Sequence, residues 1–216
     1  FSIIYIISYY YYTMKLFHKT FLNILENKDP LEKLEMQKIS KDITKSEDII
    51  HLAPSFIDGV KREQRLIKGS RDYYIARDLV TNTVYICFKH LLTIDIDDKN
   101  LDLHLIINHF QMIPETFRIY SSPRGYHIYC TSKEFDYRSE ESVKLMFENF
   151  CDPYYCVYTY IRGYCTRLNN KFDNYGECVY KYVTKVGNIP ENERLLKLVN
   201  KMESQSKRYK NDINLN

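Results

Sequence analysis

Tryptophan is absent from this chain of 216 residues, and glycine and proline occur only six times each. That scarcity excludes collagen-like and low-complexity architectures, which depend on one or both. No Cys-x-x-Cys pair occurs, which removes the most recognisable zinc and thiol-redox motifs. An excess of either charge is lacking too: 31 basic and 28 acidic residues leave a formal net charge of +3. A basic arm or acidic tail is therefore excluded as the main feature, while basic residues can still converge on one face. No apolar run reaches the roughly 20 residues that a membrane-spanning helix needs. The opening stretch "FSIIYIISYYYYT" is too short to span, and it lacks the basic flank and cleavage site of a signal peptide. The first methionine is Met14, and residues 1–13 are expected to be an upstream or non-native segment outside the fold. No membrane partner is expected, and the expected location is intracellular, in the cytoplasm.

What is present is the composition of a folded protein. Hydrophobic residues make up 44% and aromatic residues 15%, with 21 tyrosines, far more than a disordered chain carries. Abundant Ile, Lys and Asn suit an AT-rich coding sequence, such as that of a virus, phage or plasmid. The six cysteines are Cys87, Cys130, Cys151, Cys156, Cys165 and Cys178. Cys151 and Cys156 have a spacing that some zinc sites allow, but no second pair completes a site. Without a secretory context the six are expected to be reduced thiols on strands and in the core.

Periodicity divides the chain further. Leu16, Phe17, Phe21, Ile24 and Leu25 stand at helical spacing, and another helix is expected over 58–68. Residues 14–70 therefore read as an N-terminal helical region packed on a core that runs over 71–208. "DYYIARDL" and "TVYICF" flank a polar turn at Thr81-Asn82 and predict a β-hairpin. The strand "LLTIDID" follows, then a helix over 100–111 ended by Pro114. The strands "FRIYSS" and "YHIYCTS" come next, joined through Pro123-Arg124-Gly125. A helix over about 139–150 is capped by Ser139 and carries Glu140 and Glu141 in its first turn. "YYCVYTYI" and "YCTRL" read as another strand pair and "ECVYKYVTK" as a further strand. A helix over 190–207 precedes a mobile tail, 209–216. The fold class is α/β in the α+β sense: a mixed, largely antiparallel sheet with flanking helices.

Three stretches carry chemistry. In "HLLTIDIDDKN", residues 90–100, Asp95 and Asp97 lie two apart and share one face of the strand. Two like charges side by side suit a divalent cation held between them; a strand running out into a polar turn explains them equally. In "SSPRGYHIYC", Arg124, Gly125 and His127 suit a triphosphate, because glycine lets the backbone approach a ligand and the cations meet phosphate. A plain hairpin turn explains Pro123 and Gly125 as well. In residues 151–171, Asp152 either completes a carboxylate cluster or only stops the preceding helix. Arg162, Arg167 and Lys171 either face the same site or form a solvated face.

The ordered set resembles the archaeo-eukaryotic primase superfamily, especially its primase-polymerases. "LLTIDID" is similar to the first motif of that family and "RGYHIY" to the second, with Gly125 where many members carry serine. Asp152, followed by Val157-Tyr158-Thr159, Arg162, Arg167-Leu168 and Lys171, is similar to the third motif and its basic hairpin. The likeness covers residues 72–183, about half of the chain. It implies a primase-polymerase-like core with Mg²⁺ or Mn²⁺ held by Asp95, Asp97 and Asp152. It implies that Arg124, Gly125, His127, Arg162, Arg167 and Lys171 bind the incoming nucleotide. The implied function is primer or DNA synthesis on a single-stranded DNA template from nucleoside triphosphates, with a helicase or other replication protein as partner. A non-catalytic single-strand-binding relative and a two-metal nuclease are the alternatives.

Overall fold

A computed structural model describes residues 46–52, 64–79, 82–169 and 180–209. The expected helix over 14–28, the opening segment 1–13, Lys171, Cys178 and the tail 210–216 lie outside the described residues.

Eight strands and five helices are found there. In chain order they are α1 (Ser46–Leu52), β1 (Gln64–Gly69), β2 (Tyr73–Asp78), β3 (Val84–Phe88) and β4 (Thr93–Ile96). Next come α2 (Leu103–Gln111), β5 (Phe117–Ser122), β6 (Gly125–Cys130), α3 (Glu140–Glu148), α4 (Pro153–Arg162), β7 (Tyr164–Arg167), β8 (Lys181–Val186) and α5 (Glu193–Tyr209). The strands form two antiparallel four-stranded sheets, ordered β1-β2-β3-β7 and β4-β6-β5-β8. This is the α+β class expected from the sequence. Since β4 and β5 both run antiparallel to β6, which lies between them, β4-α2-β5 is a split β-α-β unit.

Strand alternation decides what each sheet buries. Ile75, Ile86 and Phe88 lie on the inner face of the first sheet, while Ile94, Ile96, Ile119 and Ile128 line one face of the second. Ile106 and Phe110, one turn apart on α2, join the same core. The other face of the second sheet carries Asp95, His127 and Tyr129. Tyr129 Oη meets Thr166 Oγ1 of β7 at 3.0 Å, so this face looks toward the first sheet. No described helix is long and apolar enough to cross a membrane.

Several local expectations are corrected. The helix expected over 58–68 is contradicted at 64–68, which lie in β1, paired antiparallel with β2. Arg, Leu, Ile and Lys have no decisive local preference, and strand pairing settles the matter. The first sheet consequently begins before residue 71. "YYCVYTYI" is not a strand but α4. Its Tyr, Val, Ile and Thr favour strands as single residues, yet Asp152 caps it by accepting from Tyr155 N and Pro153 opens it. Those are helix-start signals, and burial of Cys156, Val157 and Ile161 on one face completes the helix. Asp-Pro thus starts a helix as well as following one. The helix expected over 100–111 starts later, at Leu103, where Asp102 caps it by accepting from His104 N. Cys87 and Cys165 are disulfide-bonded, against the expectation of reduced thiols. They are directly opposed on β3 and β7, with Cα atoms 4.2 Å apart, so strand pairing alone brings the sulfurs together. Cys130, Cys151 and Cys156 are free and buried.

Asn169 stitches the end of β7 to the β2–β3 turn. Its Oδ1 accepts from Val84 N at 2.8 Å and its Nδ2 donates to the Asn82 carbonyl at 3.1 Å. Only 2% exposed, it has no water to replace these partners. Asn169→Ala is therefore expected to lower unfolding stability by about 1–3 kcal/mol, the cost of a buried unsatisfied amide, read from urea denaturation midpoints.

Candidate active site

Asp95 lies opposite His127 in the β4–β6 register. Both backbone polar groups of Asp95 point away from β6: its N–H donates to Cys151 Sγ at 3.4 Å, and its carbonyl accepts from Asp152 N at 2.9 Å. The pair 95–127 is thus a non-hydrogen-bonded position of the ladder, where opposed side chains come closest. His127 Nε2 meets Asp95 Oδ1 at 3.0 Å. The other ring nitrogen, Nδ1, is buried without a hydrogen-bond partner among the described residues, and the Tyr180 ring packs edge-on against the imidazole at 4.7 Å.

Asp97 follows the end of β4, and its Oδ2 lies 3.2 Å from the guanidinium of Arg124. Gly125 makes this meeting possible. A Cβ on residue 125 would lie 1.8 Å from the carbonyl oxygen of Ile96 and 2.9 Å from Asp98 N. The β5–β6 turn is therefore pressed against the end of β4, with Arg124 beside Asp97. Glycine here serves close approach between two strands. Asp98 belongs to the turn: its Oδ1 accepts from Asn100 N, and its carbonyl from Leu101 N.

The environment separates the two carboxyls. Burial acts to raise Asp95, but His127 outweighs it with help from Arg124 and Arg167, holding the carboxyl below its ordinary range. Asp97 is pushed above that range by burial and by the Asp95 charge, offset only in part by Arg124, His127 and Arg167. With side-chain exposures of 18% and 17%, the two acids remain in reach of solvent.

The other expected site residues divide. The charge of Arg167 acts on both acids. Asp152 is tied to Asp95 through its backbone, while its carboxylate caps α4. Among the described residues no three His, Cys, Asp or Glu side chains gather as a metal-holding group. The expected three carboxylates do not form such a group among the described residues, and one Asp152 oxygen accepts from Tyr155 N at the start of α4. Arg162 is not brought to the acids. Its guanidinium lies 4.8 Å over each of the Tyr85 and Tyr158 rings, and its carbonyl accepts from Tyr74 Oη. Lys171 lies outside the described residues.

Sequence reasoning missed Cys151 and Tyr180. Cys151 could have been found as the residue before the Asp152 cap, with Cys156 as its partner one turn inside α4, a spacing at which side chains pack across a helix start. Nothing local marks Tyr180.

Divalent-cation chemistry fits the donor set. Two carboxylates share one end of a strand, and the Asp95 charge that helps to push Asp97 up is one that a cation would balance. Because few ligands come from the protein, phosphate oxygens and water would complete the shell, as is usual for Mg²⁺.

Asparagine substitutions should move stability in opposite directions. The folded-state value of Asp95 lies below its ordinary 3.8, so its contribution is present above that pH and lost as pH falls through the folded value. For Asp97, raised above 3.8, ionisation in the folded state is unfavourable, and stability falls as pH rises through its folded value. At pH 7, Asp95→Asn is expected to lower the melting temperature and Asp97→Asn to raise it; shifts of the same sign would contradict this arrangement. Gly125→Ala is expected to cost about 1–3 kcal/mol, as for other overpacked sites, and to separate Arg124 from Asp97, measured by denaturation and a structure of the variant.

No family model, curated protein or solved structure matches the chain.

Proposed function

We propose that the chain is a metal-dependent nucleotidyltransferase of the primase-polymerase kind, joining nucleoside triphosphates on a single-stranded DNA template. The observation that carries this reading is the meeting of Asp95 with His127 and of Asp97 with Arg124 at the end of β4, where the charge of Arg167 also acts on both acids. Carboxylates and phosphate-binding cations in one place are what phosphoryl chemistry requires, since it depends on positioning and charge compensation. Bound to Asp95 and Asp97, Mg²⁺ or Mn²⁺ would supply positive charge to the α-phosphate and to the attacking 3′-hydroxyl.

The chain's own groups have separate tasks. Asp95 is held ionised by His127, so it is ready to ligate. Asp97, whose carboxyl is pushed up by burial and by the Asp95 charge, would be favoured in its ionised form by added positive charge. Arg124 turns its fork from Asp97 to the triphosphate, where two parallel hydrogen bonds are available. Arg167 adds charge from β7. His127 stays oriented by Asp95 through Nε2 and fixes the Asp95 carboxylate at the site. Asp152 supports this site by holding the backbone of Asp95.

A second reading, a non-catalytic single-strand-binding module, draws on a specific observation. Asp95 Oδ1 and Asp97 Oδ2 already have internal partners in His127 Nε2 and the Arg124 guanidinium, and Asp152 is engaged as a cap. Incorporation of labelled nucleotide on a primed or unprimed single strand with Mn²⁺ separates the two. The enzyme reading expects template-dependent incorporation that Asp95→Ala and Asp97→Ala each lower by about 100-fold or more, the scale of losing one charge-stabilising group. Strand binding without incorporation under either metal would favour the module.

A further inference from the structure

Five of the six residues of β1 are exposed, and among the described residues it forms the outer edge of the first sheet and pairs only with β2. Its charges are one-sided. Arg65 stands directly opposite Arg77 on β2, a like-charge cross-strand pair that is unfavourable by itself. After a bulge between Leu66 and Lys68, Lys68 stands opposite Ile75. Arg65, Lys68 and Arg77 therefore lie on one face of the ribbon, the face that carries Ile75. Arg71 adds a fourth cation in the connecting turn. The acids of this stretch are Asp72 and Asp78, and Asp72 is already paired with Arg194.

Arg77 is held in place. Its Nη1 donates to Asn82 Oδ1 at 2.5 Å. Asn82 sits in the left-handed region, with φ of 54°, and its carbonyl is fixed by the buried Asn169. A guanidinium orientated in this way loses less freedom when it binds an anion. The ribbon face is also the outward continuation of the sheet face that reaches Tyr129 through Thr166, the side on which the carboxylates lie.

We propose that the β1–β2 ribbon is a nucleic-acid contact, in which Arg65, Lys68 and Arg77 grip the phosphodiester backbone of the strand being copied or of its duplex product. The choice of nucleic acid rests on the function proposed above; the need for a polyanion rests on the ribbon alone. A second copy of the chain fits poorly, because edge-to-edge pairing of two β1 strands would bring Arg65 and Lys68 of both copies together. Leu66 and Ile67, 65% and 43% exposed, flank the cations and can lie against sugar or base surfaces, as apolar side chains do in grooves.

The test is fluorescence anisotropy of the full chain with a labelled single strand and, separately, a labelled duplex, across about 50–200 mM salt without nucleotide or metal. Each phosphate contact contributes about 0.7 to the log–log salt slope on single strands and about 0.9 on duplex. Arg65→Ala/Lys68→Ala is therefore expected to reduce the slope by about 1.4 or about 1.8, depending on which form the ribbon grips. Arg77→Ala should remove one further contact. Unchanged melting temperatures and far-ultraviolet circular dichroism establish that the double variant is folded. In nucleotide incorporation the ribbon variants should raise the template KM and leave kcat at saturating template unchanged. An unchanged salt slope, no binding by the unsubstituted chain at low salt, equal competition by polyglutamate, or a change in oligomeric state as the only effect would each overturn the proposal. A reduced slope in a chain that incorporates no nucleotide would retain the ribbon and reject the catalytic reading; incorporation with an unaltered slope would do the reverse.

Discussion

Two carboxylates placed side by side and partly removed from water repel each other, and the second sheet is arranged around that constraint. Asp95 is stabilised only because β4 and β6 meet there at a non-hydrogen-bonded position. This turns the Asp95 and His127 side chains together and turns the Asp95 backbone outward. The outward groups would be unpaired on an edge strand, and residues 151 and 152 take them. A single residue thereby ties β4, β6 and the start of α4 together, and its ionisation is set by the same geometry.

Asp97 has no such ladder partner and depends on the neighbouring turn. The approach of Gly125 to the Ile96 carbonyl brings Arg124 within 3.2 Å. Backbone contact positions the cation, so a side chain at residue 125 would disturb the charge balance without itself being charged. Packing and electrostatics are coupled here through one missing Cβ.

The elements easiest to read in the sequence were those with a clear period or a clear cap. The β2–β3 hairpin, β4, the β5–β6 hairpin and the Ser139-capped helix α3 lie close to where local pattern places them. β1 and α4 were misread for opposite reasons. In β1 local preference is nearly neutral and pairing with β2 decides. In α4 the strand-forming tyrosines and β-branched residues outweighed an Asp-Pro start signal that proved correct. Within the candidate site, Asp95, Asp97, Arg124, Gly125 and His127 were legible because alternation along a strand and a short turn are local rules. Arg162 was not, since its direction depends on α4 being a helix whose last turn lies over Tyr85 and Tyr158.

The sequence by itself determined the same-face acids, the glycine-arginine turn and the histidine that follows it, because side-chain alternation and turn chemistry act over a few residues. Tertiary structure alone decided which of these groups meet. It placed His127 across from Asp95, assigned Asp152 to a helix cap, joined Cys87 to Cys165 and brought the charge of Arg167 to the acids. Each of those outcomes depends on strand register or helix placement between segments distant in the chain, and no local pattern specifies how such segments pair.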